Sequence, residues 1–162
     1  MKISKRPITK LTLTNQGALD LVFLGVGSGF SKTLNQTNLF IVKDQTHLLI
    51  DCGNQCPHSL FHNYNTPLTD IDNFLITHSH ADHIGGLEEA QLAGRYVKKR
   101  KPTMIITPAY EKILWEQSLR GGAEASEAVP LKFKYLWNIV RPGEHTSVRR
   151  DTLEIAFAGI SL

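Results

Sequence analysis

Three histidines and one aspartate stand within six residues, in the string His-Ser-His-Ala-Asp-His at positions 78–83. In extended backbone the side chains at positions i and i+2 point to the same side, so His78 and His80 can offer nitrogens to one metal ion. As the chain turns, Asp82 and His83 can face a second ion close by. Nitrogen and oxygen ligands suit Zn²⁺, Mn²⁺ or Fe, and two such ions about 3.5–4 Å apart form a common hydrolytic site.

Each residue of this string also has a simpler explanation. Asp82 can cap a following helix, and any single histidine can lie at the surface. The whole string, however, stands between an apolar strand pattern at 73–77 and a Gly-Gly pair at 85–86, and packing does not account for three imidazoles there. We therefore predict a metal site with the ligands His78, His80, Asp82 and His83.

Strand and helix patterns alternate around the string. The strand patterns cover residues 11–14, 19–24, 38–42, 47–52, 73–77 and 103–107, and the helical patterns cover 54–64, 84–99 and 109–119. A β pattern returns from 133 to 157, with a turn at 142–143. The chain has 162 residues, of which 41% are hydrophobic, and this is enough for one domain with its own core.

Composition and charge exclude several classes of protein. The net charge of +3 is too small for a nucleic-acid binder held by electrostatics alone, and the basic run at 98–101 suits a solvated helix end. No apolar run is close to the length of about 20 residues that a membrane-spanning helix requires. The basic N-terminus is not followed by the apolar segment of a signal peptide. We therefore expect a cytoplasmic protein that does not bind a membrane.

Other residues that could do chemistry are assigned to packing or to the surface. Cys52 and Cys56 are the only cysteines and have the spacing of neither a disulfide framework nor a zinc ribbon, so we expect small buried hydrophobes. His58 and His62 lie four residues apart on a predicted helix but lack the glutamate of a zincin motif, which favours a surface helix face. Packing roles are also expected for His47, Trp115 and Trp137.

The sequence resembles the metallo-β-lactamase superfamily, whose signature H-x-H-x-D-H follows a strand. Residues 23–30, Phe-Leu-Gly-Val-Gly-Ser-Gly-Phe, are similar to an early glycine turn of that superfamily, and residues 48–53, Leu-Leu-Ile-Asp-Cys-Gly, to a strand end. The similar segments cover roughly residues 19–92 in the same order, and they look most like the branch of ribonuclease Z and related phosphodiesterases. The fold implied is α+β, an αββα four-layer sandwich, with residues 1–162 as its N-terminal half to two-thirds.

The resemblance also assigns roles to individual residues. It implies that His78 and His80 bind a first metal ion and that Asp82 and His83 bind a second. Asp82 would also be catalytic, beside the water that attacks the substrate. Asp51 matches an aspartate that supports the histidine loop from behind without binding metal, and a turn-forming role for it is equally open.

A complete site of this superfamily has three further ligands: a third histidine, a bridging aspartate and a final histidine. His145 is the only histidine after His83, and it precedes the strand pattern after which a third histidine would be expected. We therefore carry His145 only as a secondary candidate ligand. The shortfall predicts a C-terminally incomplete domain with little activity alone, completed by a missing segment or by homo-oligomerisation. The apolar sheet face expected to lack cover carries Val22, Leu24, Phe40, Leu49 and Ile76.

The activity implied is that of a metal-dependent hydrolase with two divalent ions, zinc first, with manganese or iron as alternatives. Its substrate would be a phosphodiester of RNA or of a cyclic nucleotide, attacked by a bridging hydroxide. Residues 114–124 look like hydrolases related to cyclic-nucleotide phosphodiesterases, whereas residues 51–57 depart from the DCGEGTQ string of ribonuclease Z. A hydrolase of thioesters, lactones or lactams and a non-catalytic half-domain that binds a partner remain open alternatives.

Overall fold

The computed structural model describes residues 9–142 and, beyond them, the backbone of four two-residue strands. Val148–Arg149 pairs with Thr152–Leu153, and Ala156–Phe157 pairs with Ile160–Ser161, both antiparallel. The candidate ligand His145 lies outside the described residues, and the expected turn at 142–143 extends beyond them.

A six-stranded sheet forms the centre of the fold, with its strands side by side in chain order. The strands are β1 Asp20–Gly25, β2 Asn38–Lys43, β3 Thr46–Ile50, β4 Asn73–Leu75, β5 Thr103–Ile105 and β6 Asn138–Val140. β1, β2 and β3 are antiparallel, whereas β3, β4, β5 and β6 are parallel to one another. Parallel neighbours need crossover connections, and the helices supply them.

Six α-helices accompany this sheet in the described part of the chain. They are α1 Cys56–Tyr64, α2 Ala81–Ile84, α3 Leu87–Ala93, α4 Pro108–Leu114, α5 Arg120–Ala123 and α6 Phe133–Leu136. α3 continues into a π-helical turn at Gly94–Lys98, and α4 continues into another at Trp115–Leu119. Pro108 occupies the first turn of α4, where its missing N–H costs nothing, and Thr107 caps that helix by accepting from the Tyr110 N–H. No helix of the described residues combines the length and the apolar character that crossing a bilayer requires.

The main hydrophobic core lies between the helices and one face of the sheet. Phe40, Leu49 and Phe74 from the sheet are fully buried there against Leu60 of α1 and Leu87 of α3. The face expected to lack cover is therefore the covered one, and this expectation was wrong. Alternation with period two separates two faces of a sheet, but it does not say which face the helices will occupy.

The opposite face carries its own smaller apolar cluster. Leu48 and Ile105 are buried in it, and four partly buried side chains pack against them: Ile41, Ile50, Leu75 and Val140. Towards the β1 edge, Leu21 and Phe23 are each about half exposed, at 53% and 54%. The uncovered apolar surface thus lies on the face opposite to the one that we predicted.

Two elements differ from the sequence expectation. Residues 11–14 form no strand, because the Leu11 N–H donates to Tyr64 O and to Thr66 Oγ1 at the end of α1 instead of to a neighbouring strand. Residues 133–136 form helix α6 where we expected a β pattern. Phe133, Leu136 and Trp137 are buried at helical spacing, and β6 begins only at Asn138.

The expected helix over 84–99 is divided in the structure. α2 ends at Ile84, residues 85 and 86 form a turn, and α3 begins at Leu87. The packing roles expected for five residues are confirmed by their burial: Cys52, Cys56, His47, Trp115 and Trp137. The hydrogen bond from Cys56 and burial together raise the pKa of the Cys52 thiol, which keeps it protonated and unreactive.

Candidate metal centre

The histidine string lies at the carboxyl end of the parallel part of the sheet. β3 and β4 run side by side, so the loops that follow them emerge together, and the Asp51 N–H donates to Leu75 O across 2.9 Å. Asp51 adopts a left-handed backbone conformation with φ of 62°, which turns the chain sharply after β3. This turn brings the carboxylate of Asp51 beneath the string that follows β4.

His78 and His80 form the first pair of donor groups. His78 Nε2 lies 2.9 Å from His80 Nδ1, and the two rings meet edge to face with centroids 4.5 Å apart. The other nitrogen of His78, Nδ1, lies 3.0 Å from Thr77 Oγ1. Both histidines are exposed to solvent, so the pair is accessible from outside.

Asp82 and His83 form the second pair. His83 Nε2 lies 3.4 Å from Asp82 Oδ2, while His83 Nδ1 lies 2.7 Å from Asp51 Oδ2. The ring centroids of His83 and His78 are 4.0 Å apart, so the two pairs adjoin. Asp82 occupies the first turn of α2, and the position before that helix is His80, so Asp82 is not the cap of the helix.

The tautomers of two histidines follow from the carboxylate of Asp51. A carboxylate only accepts, so His83 donates to it from Nδ1 and keeps the lone pair on Nε2 for a ligand bond. Thr77 Oγ1 donates to Asp51, at 2.9 and 3.0 Å from its two oxygens, and therefore accepts from Nδ1 of His78. His78 Nε2 then carries a lone pair, which faces Nδ1 of His80 across 2.9 Å.

Asp51 is buried and fully engaged. Its Oδ1 also accepts from the Thr77 N–H across 2.8 Å, and only 6% of the residue is exposed. One carboxylate thus orients His83 directly and His78 through Thr77. This is the arrangement by which protein groups behind metal-binding histidines fix the ring and the tautomer.

The donor set fits divalent transition ions. Two ligands at about 2.1 Å from a tetrahedral ion stand about 3.4 Å apart. Asp82 Oδ2 and His83 Nε2 have this separation of 3.4 Å, whereas His78 Nε2 and His80 Nδ1, at 2.9 Å, are closer together and would move apart slightly to share an ion. Imidazole nitrogen with one carboxylate oxygen suits zinc, manganese or iron rather than calcium. Among residues 9–142, no three His, Cys, Asp or Glu side chains are arranged around one point as a complete metal site would require. The arrangement is therefore two adjoining pairs of donors.

Two glycines let the backbone approach Asp82 closely. A Cβ on Gly29 would lie 2.7 Å from Asp82 Oδ2, and a Cβ on Gly53 would lie 2.1 Å from the Asp82 carbonyl oxygen. Any side chain at either position would push Asp82 away. The glycine turn after β1 and the loop after β3 therefore enclose Asp82 from two sides.

A buried polar group that we did not single out from the sequence holds these two loops together. Gln36 and Gln55 exchange hydrogen bonds, each backbone N–H donating to the other's Oε1 across 3.3 Å. Asn38 Oδ1 accepts from the Gly53 N–H across 2.9 Å. Gln36 and Asn38 are almost fully buried. Their position in the polar stretch that enters β2 was the available signal, because three amides fall within residues 35–38 there.

Tyr110 is a further residue at the site that the sequence did not indicate. Its hydroxyl lies 3.0 Å from Ser79 Oγ, between the two histidines of the first pair. Burial raises the pKa of Tyr110, and the contact with Ser79 opposes that shift. Tyr110 stays protonated at neutral pH and braces the loop from α4.

One known protein family matches most of this chain. The family described as Anti-Pycsar protein Apyc1 matches residues 19–160 of the chain. The chain belongs to that family. Among its relatives, Anti-Pycsar protein Apyc1 of Bacillus phage BSP38 is 44% identical over 106 residues, which cover 64% of this chain and 41% of the phage protein. The protein of that name from Paenibacillus xerothermodurans is 39% identical over 107 residues, covering 66% of this chain and 42% of the relative.

The fold is that of metallo-β-lactamase proteins. The metallo-β-lactamase fold protein YhfI from Bacillus subtilis superposes with a TM-score of 0.54 at 18% identity, covering 75% of this chain and 44% of YhfI. The expected fold class is thereby confirmed. The chain spans about two-fifths of the length of the Anti-Pycsar relatives given above.

Proposed function

We propose that this chain supplies metal ligands to a metal-dependent phosphodiesterase that acts on cyclic nucleotides. The ligands in this proposal are His78 and His80 for one divalent ion and Asp82 and His83 for a second, with zinc as the first choice and manganese or iron as alternatives. The observation that carries the proposal is the Asp51 carboxylate, which orients His83 directly and His78 through Thr77. A role in turning the chain alone would not require these contacts.

The chemistry divides between the ions and the side chains. Two bound divalent ions would supply Lewis acidity towards the phosphoryl oxygens and lower the pKa of water towards neutrality. Asp82 orients the attacking water and accepts its proton, because its carboxylate is partly exposed beside His83. Gly29 and Gly53 hold Asp82 in place from two sides. Asp51 orients the histidines from the buried side of the site and does not touch the substrate.

A cyclic nucleotide is favoured over RNA as the substrate. Residues 114–124 look like hydrolases related to cyclic-nucleotide phosphodiesterases, and residues 51–57 depart from the ribonuclease Z pattern. The basic run at 98–101 is also partly neutralised: Lys98 forms a salt bridge to Asp70 across 2.9 Å, and Arg100 contacts Asp72. Those two cations are therefore less available for the phosphates of a long polyanion.

The test is a substrate panel at stoichiometric enzyme concentration, so that slow turnover is still measured. The panel contains 3′,5′-cyclic purine and pyrimidine nucleotides, a short RNA, a thioester and a β-lactam, each with Zn²⁺ or Mn²⁺. We expect opening of the cyclic phosphodiester, reduced about 100-fold or more in Asp82→Asn. Asp44→Asn is the matched control, since Asp44 lies in the exposed turn between β2 and β3.

Three outcomes would contradict the proposal. One is the absence of turnover for every cyclic nucleotide with either metal. Another is turnover that is unchanged in Asp82→Asn, because the residue assigned to the proton would then be dispensable. Cleavage of the thioester or lactam in place of the phosphodiester would favour the alternative hydrolase activity on the same fold.

A further inference from the structure

Helix α1 carries two histidines that the proposed catalytic site does not use. His58 and His62 lie one turn apart on the exposed face of the helix, whereas Cys56, Ser59 and Leu60 face the core. The ring centroids of the two histidines are 4.2 Å apart and the planes are inclined by 39°. Both imidazoles thus point the same way from neighbouring turns.

Among residues 9–142, no hydrogen bond or salt bridge engages the nitrogens of His58 and His62. Phe61 packs edge-on against His62 with centroids 5.2 Å apart, which restricts the rotation of that ring. The next polar side chain, Asn63, donates to Ser59 Oγ across 3.2 Å and so is directed elsewhere.

We propose that His58 and His62 form a second, surface metal site that chelates one divalent copper, nickel or zinc ion through two imidazoles. Histidines at positions i and i+4 of a helix present their nitrogens to one ion on one face, which is the geometry used by helical zinc motifs. Neutral imidazole prefers these late transition ions, with Cu²⁺ bound most tightly, and does not bind Mg²⁺ or Ca²⁺ well.

The remaining coordination positions of such an ion would be open. His62 borders a cleft of about 1030 Å³ that runs beside β1 and is also lined by Leu19 and Leu21. Water, or a donor group from another molecule, has room to enter from that cleft. The site therefore takes an ion as a two-ligand chelate and leaves the other positions exchangeable.

This site is independent of the proposed hydrolase activity, because it shares no residue with positions 78–83. A measurement of the total bound metal would therefore include one ion at α1 in addition to any ions at positions 78–83. Copper in particular would be bound at α1 even in a variant that has lost the ligands after β4.

The experiment is a Cu²⁺ titration of the whole chain, followed by electron paramagnetic resonance at one equivalent. The parent protein is His80→Ala, and two changes are compared with it in that background: His62→Gln and the double variant His62→Gln/Asn63→His. The double variant keeps two histidines on α1 but places them five residues apart, so they no longer share a face. His80→Ala removes a proposed ligand of the other site and leaves α1 intact.

We expect the His80→Ala variant to retain one copper ion with a spectrum of nitrogen ligands. His62→Gln and the double variant, each made in the His80→Ala background, should bind Cu²⁺ with an affinity at least about tenfold lower. Circular dichroism verifies that the exposed substitutions leave the fold unchanged. Equal Cu²⁺ affinity in the His62→Gln and parent proteins would overturn the proposal, and so would full affinity in the double variant.

Discussion

Asp51 Oδ2 and His83 Nδ1 are 2.7 Å apart, and this contact joins the end of β3 to the histidine string after β4. The two residues are 32 positions apart in sequence. The parallel pairing of β3 and β4 makes their contact possible, because it brings the carboxyl ends of both strands to one edge of the sheet. The contact is therefore the point at which the fold determines the chemistry of the site.

Replacing Asp51 should weaken metal binding without removing a ligand. We expect Asp51→Asn to lower the affinity for Zn²⁺ about 10–100-fold, because the amide holds His83 and Thr77 less firmly. A chromophoric chelator in competition with the protein measures this. Asp44→Asn, in the exposed turn between β2 and β3, should leave the affinity unchanged. Equal affinity in Asp51→Asn and the wild type would show that Asp51 only turns the chain.

Thr77 should matter through its hydroxyl group alone. Thr77→Val removes the link from Asp51 to His78 and keeps the shape of the side chain, so we expect weaker metal binding. Thr77→Ser retains the hydroxyl and should restore most of the affinity. The same chelator competition distinguishes the two variants, and identical losses in both would show that packing rather than the hydrogen bond is responsible.

Gly29 should tolerate no side chain if Asp82 has the position described. The Cβ of Gly29→Ala would come within 2.7 Å of Asp82 Oδ2, so we expect lower metal affinity and lower phosphodiesterase activity. Gly121 is the control, because a Cβ there meets nothing within 4 Å. Gly121→Ala should leave the site intact and stabilise the helix by at most about 1 kcal/mol. Unchanged metal affinity in Gly29→Ala would contradict the placement of the glycine turn.

Local secondary structure could be predicted from the sequence more fully than the long-range arrangement of the elements. The strands from residue 20 to 105 and helix α1 were indicated by period and by turn residues, since these are local properties. The face of the sheet that the helices cover could not be predicted. The alternation of Phe40 and Ile41 distinguishes two faces but does not show which of them packs against helices. Helix α6 was missed because it has only four residues, Phe133–Leu136, and β6 begins two residues later at Asn138. So short a helix before a strand leaves too few residues to establish helical periodicity.

The candidate site shows the same division. The four candidate ligands after β4 could be singled out because they fall within six residues and their types are rarely combined by packing alone. Gln36, Asn38 and Tyr110 were not, since each reaches the site through a contact with a residue distant in sequence. The role of Asp51 was suggested only by resemblance, and its contacts with Thr77 and His83 could not be derived from spacing.

Stability should depend on pH through His47. This imidazole is buried and its Nε2 accepts from the Asp72 N–H across 2.9 Å. Burial lowers the pKa of His47, against the opposing influence of the Asp72 carboxylate. The unfolded chain therefore binds the proton more readily, so the stability present above about pH 6.5 should decline as the pH falls through the lowered pKa.

The variant His47→Gln isolates that dependence. Its amide oxygen can accept from Asp72 but does not titrate, so the loss of Tm between pH 7.5 and pH 5.5 should be smaller than in the wild type. Differential scanning fluorimetry of both proteins provides the comparison. Parallel Tm curves over this range would show that His47 contributes nothing to the pH dependence.

Strand β1 should promote self-association. It pairs only with β2 among the described strands, and its half-exposed Leu21 and Phe23 present apolar surface at the edge of the sheet. We expect size exclusion with light scattering to show an oligomer at micromolar concentration and Leu21→Lys/Phe23→Lys to shift it towards monomer. Val97→Lys, an exposed position on the π turn after α3, is the control. A wild-type monomer would exclude this association.

Residues 78–83 should bind metal, and elemental analysis of protein purified without chelator measures this. His62→Gln serves as the parent, so that only this site is counted. We predict zinc, manganese or iron in the parent and a clear loss in His80→Ala, because His80 supplies one of two nitrogens that lie 2.9 Å apart. Equal metal content in the two proteins, both folded by circular dichroism, would contradict the account.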